Sequence, residues 1–303
     1  MAVSPSSILI NVIPENPEPG ENVSIALSSY AADLDSVLIS WSLNGKPFLS
    51  GIGRKSISFS APAAGSESVA IAKIAFPDGE LDIRVPIRPN SLTLLWQATD
   101  SFVPPFYRGK ALPVGESSVR IVAMPEIIRG GTPANPKEMV YAWKIDYSND
   151  QTNSGYGRNH LVYDTDYLDS SNNIGVVVTT TDQKFSAEKT INIRTFDPKI
   201  LFYKRDLTLG TLFEKALLGN HKIENDEVIE AVPYFISPKT IFSPVLTWNW
   251  SINNNTVSVS SARKNLIPLK AGEGLSGVAK LRLDIENRYK IFQTTAEEVN
   301  IEF

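Results

Sequence analysis

The chain has 303 residues, with 29 Lys and Arg against 33 Asp and Glu, two His and no Cys. The missing Cys excludes disulfide staples, thiol catalysis and Cys-rich zinc sites, and the mildly acidic balance leaves no footprint for nucleic acid or an anionic membrane. At 42% hydrophobic and 20% charged residues the composition is that of a folded protein, long enough for two or three domains.

The opening Met1-Ala2-Val3-Ser4-Pro5 has neither the basic nor the apolar part of a signal peptide. That fits a cytoplasmic protein or the mature part of an exported one. The abrupt end on the alternating run Val299-Asn300-Ile301-Glu302-Phe303 favours the second, a segment cut from a longer chain before a stalk or anchor. No run approaches the roughly 18 apolar residues of a membrane helix, so no membrane insertion is expected within this segment.

Along the chain, short alternating runs bounded by Gly, Pro, Asn and Asp predict strands. The first is Val23-Ser24-Ile25-Ala26-Leu27, followed by Val37 to Asn44 around Trp41 and a closing strand Leu81 to Val85. After Pro86 to Asn90 come Leu92 to Trp96, Val119 to Ala123, Met139 to Asp146 around Trp143, and Thr190 to Arg194. After Asp197-Pro198 come Ile200 to Tyr203, a strand from Val228, Pro244 to Ser251 around Trp248, Lys280 to Ile285, and Glu298 to Glu302. One short helix is expected at Thr211-Leu212-Phe213-Glu214, which has capping-box spacing, with Gly219-Asn220 as its stop.

These runs align with one another as a threefold repeat. Trp41, Trp143 and Trp248 occupy matching places, and Leu92–Trp96 with Gly109–Leu112 echoes Ile200–Tyr203 with Glu214–Leu217. Pro at each junction discourages continuous pairing. The expectation is all-β, with three tandem immunoglobulin-like sandwiches in an elongated array: 1–90, 91–198 and 199–303. Their formal charges of −3, −2 and +1 imply no polyionic partner. The three aligned Trp are expected in the cores, and Trp96 against the first junction.

Ile13-Pro14-Glu15-Asn16-Pro17-Glu18-Pro19-Gly20-Glu21-Asn22-Val23-Ser24-Ile25 resembles the first two strands of bacterial surface Ig-like and PKD-like repeats. The tract Leu94-Leu95-Trp96-Gln97-Ala98, then Val103 to Pro113, is similar to uncharacterised exported proteins of ultrasmall candidate-phylum bacteria (Parcubacteria and relatives). The resemblance covers the first two units well and the third more loosely. It implies an exported, envelope-attached protein and brings no catalytic residues.

The residues offer little chemistry. H-E-x-x-H, G-x-S-x-G, the P-loop and the dinucleotide fingerprint are all missing. His160 and His221 read as solvated loop residues; Asp164 lies near His160, but no elbow Ser accompanies them. Paired carboxylates of the glycosidase kind are a matter of tertiary spacing. Calcium is the best cofactor candidate: Asp164, Asp166 and Asp169 place hard oxygens in one loop. The same residues read more readily as an Asx-rich turn capping its own backbone, and Asp33 with Asp35 and Asp146 with Asp150 are weaker versions.

The best recognition surface is Phe102, Phe106, Tyr107 and Arg108, an aromatic and Arg tract stiffened by Pro104-Pro105. Its alternative is a framework role, because Leu209–Leu218 repeats the apolar character in unit three. The expected function is non-enzymatic: an extracellular or cell-surface Ig-like repeat protein for adhesion or surface presentation. Its partner would be a protein or glycan on another surface, or a second copy, without nucleic acid. The rival readings are a filament or surface-layer subunit joined through edge strands such as the terminal one, and a carbohydrate-binding module.

Overall fold

The computed structural model describes residues 7–129, 132–223, 226–260, 262–272 and 276–303; the leader reading at Met1–Pro5 falls outside them. The chain is all-β, and no helix among the described residues is long and apolar enough to cross a membrane.

The first repeat comprises β1 (Ile8–Ile13), β2 (Asn22–Ser29), β3 (Leu38–Leu43), β4 (Lys46–Ile52), β5 (Ser56–Ser60), β6 (Ser68–Phe76) and β7 (Gly79–Ile87). They form two sheets, β1-β2-β5 and β4-β3-β6-β7. Period-two alternation puts Val23, Ile25, Ile39, Trp41, Ile57 and Ile74 into one core. The second repeat comprises β8 (Ser91–Ala98), β9 (Ser118–Glu126), β10 (Ile128–Arg129), β11 (Thr132–Pro133), β12 (Met139–Ile145), β13 (Ser148–Tyr156), β14 (His160–Asp164), β15 (Ser171–Thr180) and β16 (Ser186–Arg194). Its sheets are β14-β9-β8 and β13-β12-β15-β16, with a small β10-β11 ribbon. Tyr141 in β12 is buried and donates to the Pro136 carbonyl at 2.8 Å; burial pushes its hydroxyl pKa up to about 12.

The third repeat comprises β17 (Lys199–Asp206), β18 (Gly210–Leu217), β19 (Asn220–Lys222), β20 (Glu227–Tyr234), β21 (Leu246–Ile252), β22 (Asn255–Val257), β23 (Leu266–Leu269), β24 (Val278–Asn287) and β25 (Thr294–Glu302). Its sheets are β18-β17-β20-β23 and β19-β25-β24-β21-β22. By contacts the chain divides into two compact units, Met1–Leu95 with Val122–Leu161 and Asn173–Ile191, and Trp96–Ile121 with Val162–Asn172 and Asn192–Phe303.

One device recurs in all three repeats. Asn44-Gly45, Asp146-Tyr147 and Asn253-Asn254 each sit at positive φ in a two-residue turn, the backbone signature of a type I′ hairpin. The first residue of each turn also clamps a neighbouring strand. Its N–H donates to the carbonyl of Val69, Asn173 or Lys280, and its side-chain Oδ1 accepts the N–H of that same residue at 2.7–2.8 Å. Three residues before each turn lies a buried Trp whose Nε1–H donates to a backbone carbonyl: Trp41 to Arg54, Trp143 to Arg158, and Trp250 to Lys264.

This geometry corrects the third Trp assignment. Trp250, not Trp248, is equivalent to Trp41 and Trp143; Trp248 takes the place of Ile39 and Tyr141. The Trp248 indole N–H is buried without a partner among the described residues. The expected helix at Thr211–Glu214 is also absent, for those residues belong to β18. Asp206 Oδ1 accepts from the N–H groups of Thr208 and Leu209, and Gly210 follows at φ 81, so the chain folds back on β17 as a hairpin. The Thr211 hydroxyl, read as a cap, bonds Glu230 instead. Finally, the terminal strand β25 is covered at its end, where β19 pairs in parallel with Asn300, Ile301 and Glu302 through Asn220, His221 and Lys222.

Candidate functional site

The Phe102–Arg108 tract divides into framework and exposed tip. Phe102 lends its backbone to a two-bond bridge with the end of β20: its N–H donates to the Ile236 carbonyl at 2.8 Å, and its carbonyl accepts from the Phe235 N–H at 2.7 Å. Tyr107 is half-buried and meets Tyr234 and Phe235 edge-on, with ring centroids 5.9 and 5.8 Å away. Tyr234 in turn shares a 2.9 Å hydrogen bond with the Tyr203 hydroxyl. Burial first, then that bond and the neighbouring Tyr hydroxyls, push the Tyr234 pKa up. Phe102 and Tyr107 therefore serve the framework.

Phe106 and Arg108 point outward. The Tyr107 N–H closes a turn onto the Pro104 carbonyl at 3.3 Å, with Pro105 and Phe106 at its centre. Phe106 has φ 64 and is 90% exposed. The third position of such a turn favours Gly or Asn, and a bulky side chain there is strained by about 1–3 kcal/mol. Burial does not offset that strain. Gly109 completes the arrangement, since a Cβ there would lie 2.5 Å from the Tyr107 hydroxyl and displace the ring. Nearby, the Lys110 ammonium stands 3.2 Å from the centre of the half-buried Trp96 ring, where desolvation lowers its pKa.

The acidic loop has a different design from a calcium site. Thr165 is buried and anchors it, donating to the Val114 carbonyl at 2.8 Å and accepting from the Ser117 N–H at 2.9 Å. Asp166 Oδ1 accepts from the Leu168 N–H at 2.9 Å, the Asx turn of the alternative reading. Among the described residues no group of three or more His, Asp and Glu is gathered to hold a metal ion, so Asp164, Asp166 and Asp169 are not brought together. The cavity of about 450 Å³ beside Asp164, Asp166 and Glu116 is entered by Lys290. Its ammonium bonds Asp100 Oδ2 at 2.8 Å and the Glu116 carbonyl at 2.6 Å, supplying positive charge there. Asp33 and Asp150 likewise accept from nearby backbone N–H groups, and Asp146 is the turn clamp.

Both His residues lie on strands, not loops. His160 opens β14 and is exposed, with Nδ1 3.4 Å from Asn159 Oδ1. His221, in β19, is half-buried, and its Nε2 lies 2.8 Å from Glu227 Oε2. Glu227 was not singled out from sequence. The strand registers make it the counterpart of the buried Val23 in the first repeat: Val23 pairs Phe59 as Glu227 pairs Leu269, two residues from the equivalent pairs Ile25–Ile57 and Ile229–Ile267. Lys204 donates to Glu227 Oε1 at 2.8 Å. Burial alone would raise the Glu227 pKa, but the hydrogen bonds from Lys204 and His221 outweigh it and hold the carboxyl below its ordinary value.

No family model and no curated protein matches the chain. Among solved structures, it is similar to the fibronectin(III)-like modules of Clostridium thermocellum CbhA, at 13% identity over 62% of this chain and 94% of that one, with a TM-score of 0.30. Extracellular domains 3–5 of Drosophila OTK match 98% of this chain and 97% of their own at 10% identity and a TM-score of 0.24. The Bacteroides ovatus mixed-linkage glucan utilization locus SGBP-B, in complex with a mixed-linkage heptasaccharide, matches 96% of this chain and 70% of its own at 12% identity and a TM-score of 0.22.

Proposed function

We propose that the chain is a non-enzymatic bacterial cell-surface or secreted protein of Ig-like repeats, with domain borders near residues 90 and 198, that serves adhesion or surface presentation. The observation that carries this reading is Phe106: a strained, almost fully exposed aromatic on a Pro-Pro turn, with Tyr107 pinned behind it and Arg108 beside it. Aromatic and Arg side chains dominate interface hot spots, and a backbone already set by the turn lowers the ordering cost of contact. The partner is a protein or glycan on another surface. Beads coated with the protein, and with a Phe106→Ala/Arg108→Ala variant of unchanged melting temperature, test this on a panel of bacterial and animal cells. Attachment that falls at least tenfold in the variant supports the reading; equal attachment by both overturns the role of the tip.

A second reading, a self-associating surface subunit, is favoured by one feature. Edge strand β1 leaves Leu9, Ile10 and Ile13 largely exposed, and an apolar open edge is a template for strand addition. Beads that attach to nothing, together with a mass in light scattering that grows with concentration, favour that subunit.

A further inference from the structure

A groove of about 770 Å³ lies in the second compact unit, floored by the aromatic side chains of Tyr167, Phe196, Phe235 and Phe292. Tyr167 and Phe292 are parallel, with centroids 4.7 Å apart and planes inclined by 1°, and they keep 51% and 54% of their surface in solvent. Phe196 is 44% exposed. Three half-exposed aromatics on one concave surface are not what a core or a solvated loop needs, because single exposed apolar residues are ordinary and convergent ones are not.

The walls are built from backbone that other contacts hold in place. The Thr195 N–H and Oγ1 both donate to the Ser170 carbonyl, at 2.9 and 3.2 Å. The Phe196 N–H donates to the Pro113 carbonyl at 2.9 Å, and Thr295 Oγ1 to the Pro198 carbonyl at 2.9 Å. Behind Phe292, Gln293 is fully buried. Its Nε2 donates to the Gly115 carbonyl at 2.8 Å, and its Oε1 accepts from the N–H and hydroxyl of Ser237. The backbone that carries the rings is thus held before any ligand arrives, which lowers the ordering cost of binding.

The rim carries Asp197 and Lys199, both exposed and neither engaged in an ion pair among the described residues. Their charges cancel, so the groove has no net preference for an ion. One accepts hydrogen bonds and the other donates them. A ligand matched to this surface is electrically neutral, has flat apolar faces for the rings, and carries paired hydroxyls that both donate and accept. We infer that the groove binds the pyranose units of a neutral oligosaccharide, one stacked on Phe196 and another packed against the Tyr167–Phe292 pair, hydrogen-bonded by Asp197 and Lys199. This site uses side chains other than the Phe106 tip, and the inference stands or falls independently of it.

Isothermal titration of the whole protein with cellohexaose, xylohexaose and mannohexaose, and with hexagalacturonate as the charged control, tests the assignment. At least one neutral hexasaccharide is expected to bind, with the charged one at least tenfold weaker. Phe292→Ala and Phe196→Ala are each expected to weaken binding about tenfold or more, while Tyr167→Phe, which keeps the ring, leaves it within about twofold. Asp197→Asn/Lys199→Met, on exposed positions that do not bear on folding, is expected to weaken it severalfold. Phe106→Ala leaves it unchanged. No binding by any neutral sugar at millimolar concentration overturns the inference, as does binding that survives in Phe196→Ala and Asp197→Asn/Lys199→Met alike, or a clear preference for hexagalacturonate.

Discussion

At the residue scale, two tryptophans two positions apart on β21 should respond unequally to the same substitution. Trp250→Phe removes the N–H that the Lys264 carbonyl accepts and is expected to cost about 2 kcal/mol, the loss of a part-buried hydrogen bond plus some lost packing. Trp248→Phe removes an indole N–H that has no partner among the described residues, so the gain from deleting it offsets the lost volume and the net change stays within about 1 kcal/mol. Urea unfolding of both variants checks this, and equal losses would refute the distinction. Glu227 carries part of the acid sensitivity, beside Asp182 and Asp206, whose carboxyls are also held low by hydrogen bonds. Its carboxyl ionises more readily folded than unfolded, so its stabilisation is present above the ordinary value of 4.5 and fades as pH falls below it. Melting temperatures between pH 3 and 7 should drop below about pH 4.5 in the native protein and drop less in Glu227→Gln.

At the scale of elements, the clamped hairpin is the unit that makes each repeat recognisable. Asn253→Ala loses the bond to the Lys280 N–H and puts a Cβ without a helpful side chain at φ 49, an expected cost of about 2 kcal/mol. Asn253→Gly restores the conformation but not the clamp, so it should fall between Ala and the native residue in the same unfolding assay. Much of this element level was legible in the sequence. Alternation placed β2, β3, β12, β16 and β24, because a half-buried strand writes its two faces into neighbouring residues. The helix reading at Thr211 failed because a capping box is only a local preference, and Asp206 with Gly210 made a turn that gave β18 a partner strand instead. Alignment on tryptophan alone selects Trp248 as the third repeat's central residue. The offset to the Asn253-Asn254 turn, two residues of the kind that tolerate positive φ, was the better ruler. Of the binding tract, composition marked Phe106 and Arg108, but it had no means of telling that Tyr107 faces Tyr234 or that the Phe102 backbone bridges to Phe235. The groove around Phe292 was invisible in the sequence, since its rings come from segments far apart along the chain.

For the molecule as a whole, the second compact unit holds elements of two repeats together with buried polar contacts as well as apolar ones. Gln293 is the pin, bonded to Gly115 on one side and Ser237 on the other. Gln293→Leu strands the Gly115 carbonyl and the Ser237 N–H, and its expected cost of about 2–4 kcal/mol follows from two groups left unsatisfied. Hydrogen exchange gives the sharper readout: the amides of Phe102 and Phe235, which bridge the same two segments, should speed up together in the variant, while the Asn44 and Asp146 amides stay protected. Exchange that rises equally everywhere would mean that the pin acts on global stability alone.

The parallel pairing of β19 with β25 has a mechanical consequence. The last strand runs between β24 on one side and β19 on the other, and ladder hydrogen bonds lie across the strand direction. Tension applied along the chain at Phe303 therefore loads the rungs between β25 and β24 simultaneously, in shear, and those to β19 at Asn300, Ile301 and Glu302 with them. The β17–β18 hairpin, pulled at its open end, parts one rung at a time. The third repeat is thus built to resist a sustained tug at its final strand and to yield, when it yields, somewhere else.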